Sequence, residues 1–258
     1  MNYNYHTHTY RSHHALGTPE EYVLRAIDGG IKYMGFSDHA PFVCANGKES
    51  GFRVPTAEAA AYRDEIKALA YKYKDKIDIK VGFEMEYYPD DFERMFDFVK
   101  KSGAQYLILG QHFLWDESQD SVYCSTFTDD LEMLKMYVER VVSGIKSKKF
   151  TYVAHPDCLV YTADEEIYRE EMRKICVASR KCKIPLEINF LGIRAGRHYP
   201  NEAFLSVAGE ERAPVTFGFD SHDTEAAFDG ESLKKAEELV EKYNLNYIGK
   251  PKLILINK

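Results

Sequence analysis

Residues 105–112 read Gln-Tyr-Leu-Ile-Leu-Gly-Gln-His. Four apolar residues between a glutamine and a glycine describe a short strand buried on both faces, the kind found in parallel sheets. A histidine stands just past its end. The arrangement recurs along the chain. Lys32–Ser37 leads into Asp38-His39, Lys80–Glu84 ends on a glutamate, Phe150–Ala154 leads into His155-Pro156, and Pro214–Phe219 leads into Asp220-Ser221-His222. Residues 2–8 read as a first strand ending on His6-Thr7-His8, and Pro185–Asn189 as a further one.

Helical stretches separate these runs. One over 19–29 has Thr18 as N-cap, Pro19 at the first helical position and Glu21 placed for a capping box. Others are predicted over 56–75, begun by Pro55-Thr56, and over 89–101, 128–147, 164–182 and 231–243. A terminal strand or hairpin follows at Tyr247–Ile256. Short apolar strands alternating with helices predict an α/β fold with a helix-covered parallel sheet. Seven or eight such units in 258 residues favour one closed barrel over an open sheet, with the whole chain, 1–258, as one domain.

The formal net charge of −7 comes without any run of five or six like charges, which argues against a nucleic acid polymer as partner. An anionic small molecule is still allowed, because a metal cluster supplies local positive charge. The five cysteines are odd in number and contain no Cys-x-x-Cys, so they read as reduced thiols. No basic-then-apolar leader and no run of 18 apolar residues is present, which predicts a cytoplasmic protein with no membrane partner.

Eight of the nine histidines fall at or just after strand ends. In a parallel barrel those ends converge on one face, where barrel enzymes build their sites. A single histidine there is usually an ordinary polar residue, Glu84 alone could cap a helix, and Asp220 alone could serve a turn. Their shared placement needs a shared cause. His6, His8, His39, Glu84, His112, His155, Asp220 and His222 follow six different strands and have the chemistry of ligands for Zn, Mn or Fe.

These residues also resemble a known family. His6-Thr7-His8-Thr9 with His14-Ala15-Leu16-Gly17, then Ser37-Asp38-His39-Ala40-Pro41, Gly82-Phe83-Glu84, His112, His155-Pro156 and Asp220-Ser221-His222 are similar, in order and spacing, to motifs of the polymerase-and-histidinol-phosphatase (PHP) superfamily. The stretches 14–22 and 187–194, with Tyr199-Pro200, look most like its stand-alone histidinol-phosphate phosphatases. The resemblance implies a distorted (β/α)7 TIM-like barrel holding two or three divalent ions. It assigns His6, His8, Glu84 and Asp220 to one ion, Glu84 as a bridge with His112 and His155 to a second, and His14, His39 and His222 to a third. Residues 10–13, Tyr-Arg-Ser-His, depart from the usual pattern and set His13 against His14 as the ligand; spacing favours His14.

The activity so implied is hydrolysis of L-histidinol phosphate, in histidine biosynthesis, to L-histidinol and phosphate. In general, two ions sharing a carboxylate lower the pKa of a water between them, and the resulting hydroxide attacks phosphorus in line. Glu84, Asp220, His39 and His222 are the catalytic candidates. The leaving alkoxide needs a proton or a metal, and a strand-end His or Asp is the candidate donor. Arg194 and Arg197, in an expected loop after a strand, are candidates for phosphate because the guanidinium fork suits it. Phe113 and Trp115 are placed to wall a pocket for an imidazole ring, and His198 reads as a loop residue. The alternatives are an amidohydrolase, disfavoured because Glu84 occupies the place of a bridging lysine, a PHP phosphoesterase acting on nucleotides or another small phosphate ester, and a metal-binding regulator without catalysis.

Overall fold

The computed structural model describes residues 1–44, 46–115, 117 and 121–257. The apolar runs lie side by side in it and all point the same way. β1 (Tyr3–Asn4), β2 (Tyr33–His39), β3 (Asp78–Met85) and β4 (Tyr106–Leu109) pair in that order. A small ladder of β5 (Phe127–Thr128) and β6 (Val160–Tyr161) lies apart, and β7 (Leu186–Asn189), β8 (Pro214–Gly218) and β9 (Asn246–Tyr247) pair in sequence.

Two seams join these pieces into a barrel. Residues 151–154, predicted as a strand, make no continuous ladder but bond both ways. Thr151 and Ala154 donate to the Leu107 and Leu109 carbonyls at 2.7 and 2.8 Å, and Val153 donates to Pro185 at 2.9 Å. At the other seam His8 N donates to the Ser221 carbonyl at 3.0 Å and Ser221 N to His6 at 3.1 Å. The first strand, expected over 2–8, forms a regular ladder with β2 only at Tyr3 and Asn4; further on, Thr7 bonds both ways, its carbonyl accepting from Ser37 N at 2.9 Å while its other side bridges to Ser221 and closes the ring.

Helices cover the outside: α1 (Pro19–Asp28), α2 (Ala59–Lys72), α3 (Phe92–Lys101), α4 (Leu131–Ser147) and α5 (Glu165–Cys182), then α6 (Phe190–Ala195), α7 (Glu202–Glu210) and α8 (Gly230–Lys242). The capping box of α1 forms as predicted, with Pro19 in its first turn. The helix expected from 56 begins instead with a 3-10 turn at Thr56–Glu58, since the Thr56 side chain is bound to Glu49 rather than capping. Residues 190–213, where the pattern predicts no element, hold α6 and α7. Asn189 and Asn201 cap them by accepting from Gly192 N and Phe204 N, a signal present in the sequence.

Strand alternation divides the interior. Val81, Phe83 and Met85 of β3 and Leu107 and Leu109 of β4 pack with helix residues such as Tyr62, Ile66, Val99 and Val141 in the main core. Each fully buried side chain of this size contributes about 1.5–3 kcal/mol. The intervening Tyr106 and Ile108 join Tyr3, Tyr5, Tyr152 and Ala154 in a second cluster. The terminal hairpin expected at 247–256 is reduced to β9. The residues after it run across the amino end, with Ile254 N on Thr151 Oγ1 at 3.1 Å and Ile256 N on the Gln105 carbonyl at 3.0 Å. No helix of the described residues is long and apolar enough to cross a membrane.

Candidate metal centre

The polar half of the alternation ends at the carboxyl face. Glu84, 1% exposed on β3, occupies the middle. Its Oε2 lies 3.4 Å from His6 Nε2, 3.5 Å from His8 Nε2 and 3.3 Å from His39 Nδ1. Its Oε1 lies 2.9 Å from His155 Nε2 and 3.6 Å from His112 Nε2. Asp220 Oδ1 stands 3.4 Å from His6 Nε2, 3.3 Å from His8 Nε2 and 3.3 Å from His222 Nδ1. Glu84 can stand here because residue 110 is glycine: a Cβ at Gly110 would come within 1.9 Å of Glu84 Oε1. His155 and Asp220 leave their strands at φ of 28° and 48°, left-handed values that are strained for residues bearing a Cβ.

Four groups of ligand-type atoms converge within 4.8 Å: His8, His14, His39 and His222; His6, His155 and Asp220; His6, His8 and Glu84; His39, Glu84 and His112. All nine predicted metal residues are thus brought together. His14 joins the cluster, whereas His13 caps a 3-10 turn at its edge, exposed, with φ 63°. The atoms facing the centre, namely His6 Nε2, His8 Nε2, His39 Nδ1, both Glu84 oxygens and Asp220 Oδ1, are buried without a hydrogen bond. Buried polar atoms are ordinarily paired, so six orphans aimed at one volume are what a bound cation would satisfy. Their spacing fits as well, since donors about 2.0–2.1 Å from one tetrahedral ion lie ~3.3 Å apart. Imidazole and carboxylate together suit divalent metals.

Charge tells the same story. Burial disfavours ionisation of Glu84, yet His112 and His6 hold its carboxyl well below the usual carboxylate range. Burial likewise opposes the Asp220 charge, and His6 and His222 outweigh it. Burial also opposes the charged ring of His8, but Asp220 and Asp38 push it up to about 9. Burial and the His8 charge push His222 down to about 3 and keep His39 well below its ordinary value. The centre demands positive charge, which protons supply on some rings; a divalent ion competes with those protons.

A ring of outer carboxylates and carbonyls aims the imidazoles, a feature the sequence reading missed. Glu187 Oε1 takes His6 Nδ1 at 2.8 Å, Glu86 Oε1 takes His112 Nδ1 at 2.8 Å, and Asp38 Oδ1 lies 3.4 Å from His8 Nδ1. The Ser12 carbonyl holds His14 Nδ1 at 2.6 Å. Such partners fix the tautomer and turn the other nitrogen inward. For two of them the sequence signal was parity, since Glu86, just past the end of β3, stands two residues after Glu84, and Glu187 and Asn189 alternate onto the same side of β7.

Above the cluster opens a pocket of about 470 Å³ lined by His8, His14, His39, Phe52, Glu84, His112, Phe113, Tyr123, His155, Cys158, Leu191, Arg197, Tyr199, Asp220 and His222. Of the predicted substrate contacts, Phe113 and Arg197 line it. Arg194 does not. It lies on α6, not in a loop, and its Nη1 and Nη2 donate to the Phe219 and Asp220 carbonyls at 2.9 and 2.7 Å, so it anchors the Asp220 turn from below. Trp115 is absent from the lining, and His198 faces the Cys158 carbonyl at 2.8 Å.

Residues 4–190 match the PHP domain. The chain belongs to that family. Among curated relatives it is 25% identical to a probable histidinol-phosphatase of Deinococcus radiodurans over 236 residues, covering 84% of this chain and 85% of that one. It is 24% identical to the histidinol-phosphatase of Bacillus subtilis over 255 residues, with 84% and 92% covered. Its fold is similar, with a TM-score of 0.69 and 23% identity over 95% of each chain, to a histidinol phosphate phosphatase of Lactococcus lactis solved with zinc, L-histidinol and phosphate.

Proposed function

We propose that this PHP protein, as one phosphoesterase domain over residues 1–258, is a histidinol-phosphate phosphatase that uses two or three divalent ions held by the nine clustered residues. The convergence of orphaned ligand atoms on both oxygens of Glu84 carries the reading. The names of its relatives and the zinc, L-histidinol and phosphate of the Lactococcus lactis neighbour support it. None of the five cysteines forms a disulfide, which supports a reducing, cytoplasmic setting.

Bound ions supply Lewis-acid charge for phosphoryl oxygens and lower the pKa of water. The chain does the rest. Glu84 spans the groups of ligands and ties them together, and Asp220 joins the rings of His6 and His8 to His222. Arg197, held by Tyr199 Oη at 3.0 Å, sits on the rim where its fork can receive phosphate. Phe52 and Phe113, with ring centroids 5.6 Å apart, offer flat apolar surface to an imidazole ring. His39 and His222 stand in the same wall.

The test is phosphate release from L-histidinol phosphate beside a panel of nucleoside monophosphates, using protein loaded in turn with zinc, manganese and iron. Turnover should be fastest on L-histidinol phosphate, vanish on chelation and return with metal. Faster turnover of a nucleotide would move the assignment within the family, and no turnover of any phosphate ester by metal-replete protein would overturn it.

A further inference from the structure

Arg53 is 1% exposed and lies outside the ligand set. Its Nη1 sits 2.8 Å from Glu86 and donates to the Ala40 carbonyl at 3.2 Å. Its Nε and Nη2 take the two oxygens of Glu117 at 3.1 and 2.6 Å, and its guanidinium stacks 4.7 Å from the centre of the Phe52 ring. A buried cation between two carboxylates is a costly element. Stability alone is served as well by apolar side chains of similar volume, so the two ends of this network point to a different use.

One end reaches the metal centre. Glu86 Oε1 receives His112 Nδ1 at 2.8 Å, which fixes the proton on Nδ1 and aims Nε2 at Glu84. The other end reaches the pocket mouth. In sequence Glu117 falls between Leu114 and Val122, which meet through Leu114 N on the Val122 carbonyl at 3.3 Å, and the adjoining Phe113, bridged to Tyr123, lines the pocket. Arginine suits this place because its rigid fork binds one carboxylate with two nitrogens while a third meets another, which lysine cannot do.

We propose that Arg53 is a positioning residue with two separable arms: one holds Glu86, which aims His112, and the other holds Glu117 and with it the seating of Phe113. The proposal rests on the metal-dependent reading of the site, but its test does not need turnover.

Three full-length variants separate the two arms: Glu86→Gln, Glu117→Gln and Arg53→Lys. Zinc affinity is measured by competition with a chelator, and seating of the segment by iodide quenching of Trp115, the single tryptophan of the chain. Glu86→Gln should weaken zinc binding by about 10–100-fold, the usual cost of losing an outer partner, with quenching unchanged. Glu117→Gln should raise quenching and the KM for L-histidinol phosphate while zinc affinity stays. Arg53→Lys keeps a charge beside Glu86 but loses the fork, so it should follow Glu117→Gln. Equal zinc losses in Glu86→Gln and Glu117→Gln, or unchanged quenching in both Glu117→Gln and Arg53→Lys, overturns the proposal. Should Glu86→Gln fail to fold, the other two variants still decide it. A clean split of the arms without phosphatase activity would leave Arg53's role standing and remove the functional reading instead.

Discussion

At the amino end of the barrel, Tyr3, Tyr5, Tyr106 and Tyr152 fill the interior, and Tyr3 Oη meets Thr216 Oγ1 at 2.9 Å and Tyr247 Oη at 3.2 Å. At the carboxyl end the same strands present imidazoles and carboxylates whose inner atoms have no partner. The first end is packed and largely satisfied, and it stabilises the fold by burying surface. The second is polar and left incomplete by the protein's own groups. Stability and chemistry are thus divided along the strand axis, as is general for barrels of this type. On β3 the division falls between two residues: Gly82 makes room for the Tyr106 ring, and Glu84 begins the site.

Substitutions along this axis test the division. The largest effect is expected for Glu84→Gln, which removes the charge common to two of the four ligand groups and facing five of the imidazoles. Phosphatase kcat should fall about 10³-fold or more, with bound metal lost in elemental analysis. A variant that kept both metal and activity would mean that Glu84 is not the bridge.

A pair of glycine substitutions comes next. Gly110→Ala drives a methyl against Glu84 Oε1 and should cut metal content and kcat by about 10–100-fold. Gly82→Ala drives one against the Tyr106 ring, 2.3 Å away, and should lower stability by about 1–3 kcal/mol without changing kcat of the folded fraction. Denaturant unfolding and single-turnover kinetics read the two outcomes, and a kcat defect in Gly82→Ala would break the division.

The smallest effect is expected for Tyr152→Phe, whose hydroxyl is buried without a hydrogen bond. Stability should change by less than about 1 kcal/mol, and in the stabilising direction, because an unpaired hydroxyl is removed. A large loss would show that this hydroxyl serves a partner at the carboxyl end.

The sequence made the barrel legible wherever an apolar run ended on a ligand-type residue, as at 105–112. The motif resemblance singled out Glu84 as well, as the expected bridge, with no strand-end lysine to compete for that place. Three things stayed hidden. Glu187 and Asp38 lie on strands and Glu86 just past the end of one, beside candidates already chosen, and only three-dimensional packing shows which imidazole each one holds. Arg194 was read as a phosphate ligand because a loop was expected; the cap at Asn189 starts α6 instead and turns its guanidinium to carbonyls. Arg53 lies in a stretch with no periodicity, and its partners are 33 and 64 residues away.

The seam between residues 6–8 and 221 has a consequence for folding. Only a few backbone hydrogen bonds join the end of the first strand to the turn after β8 there, and the chain between them is most of the protein. On either side of that seam stand His6 and His8, then Asp220 and His222. An ion gripped from both sides would act as a clasp, removing loop-closure entropy from the open chain much as a long-range cross-link does. Emptied of metal, the barrel should therefore loosen first along this line, and hydrogen exchange at His8 and Ser221 should quicken before exchange in β3 or β4.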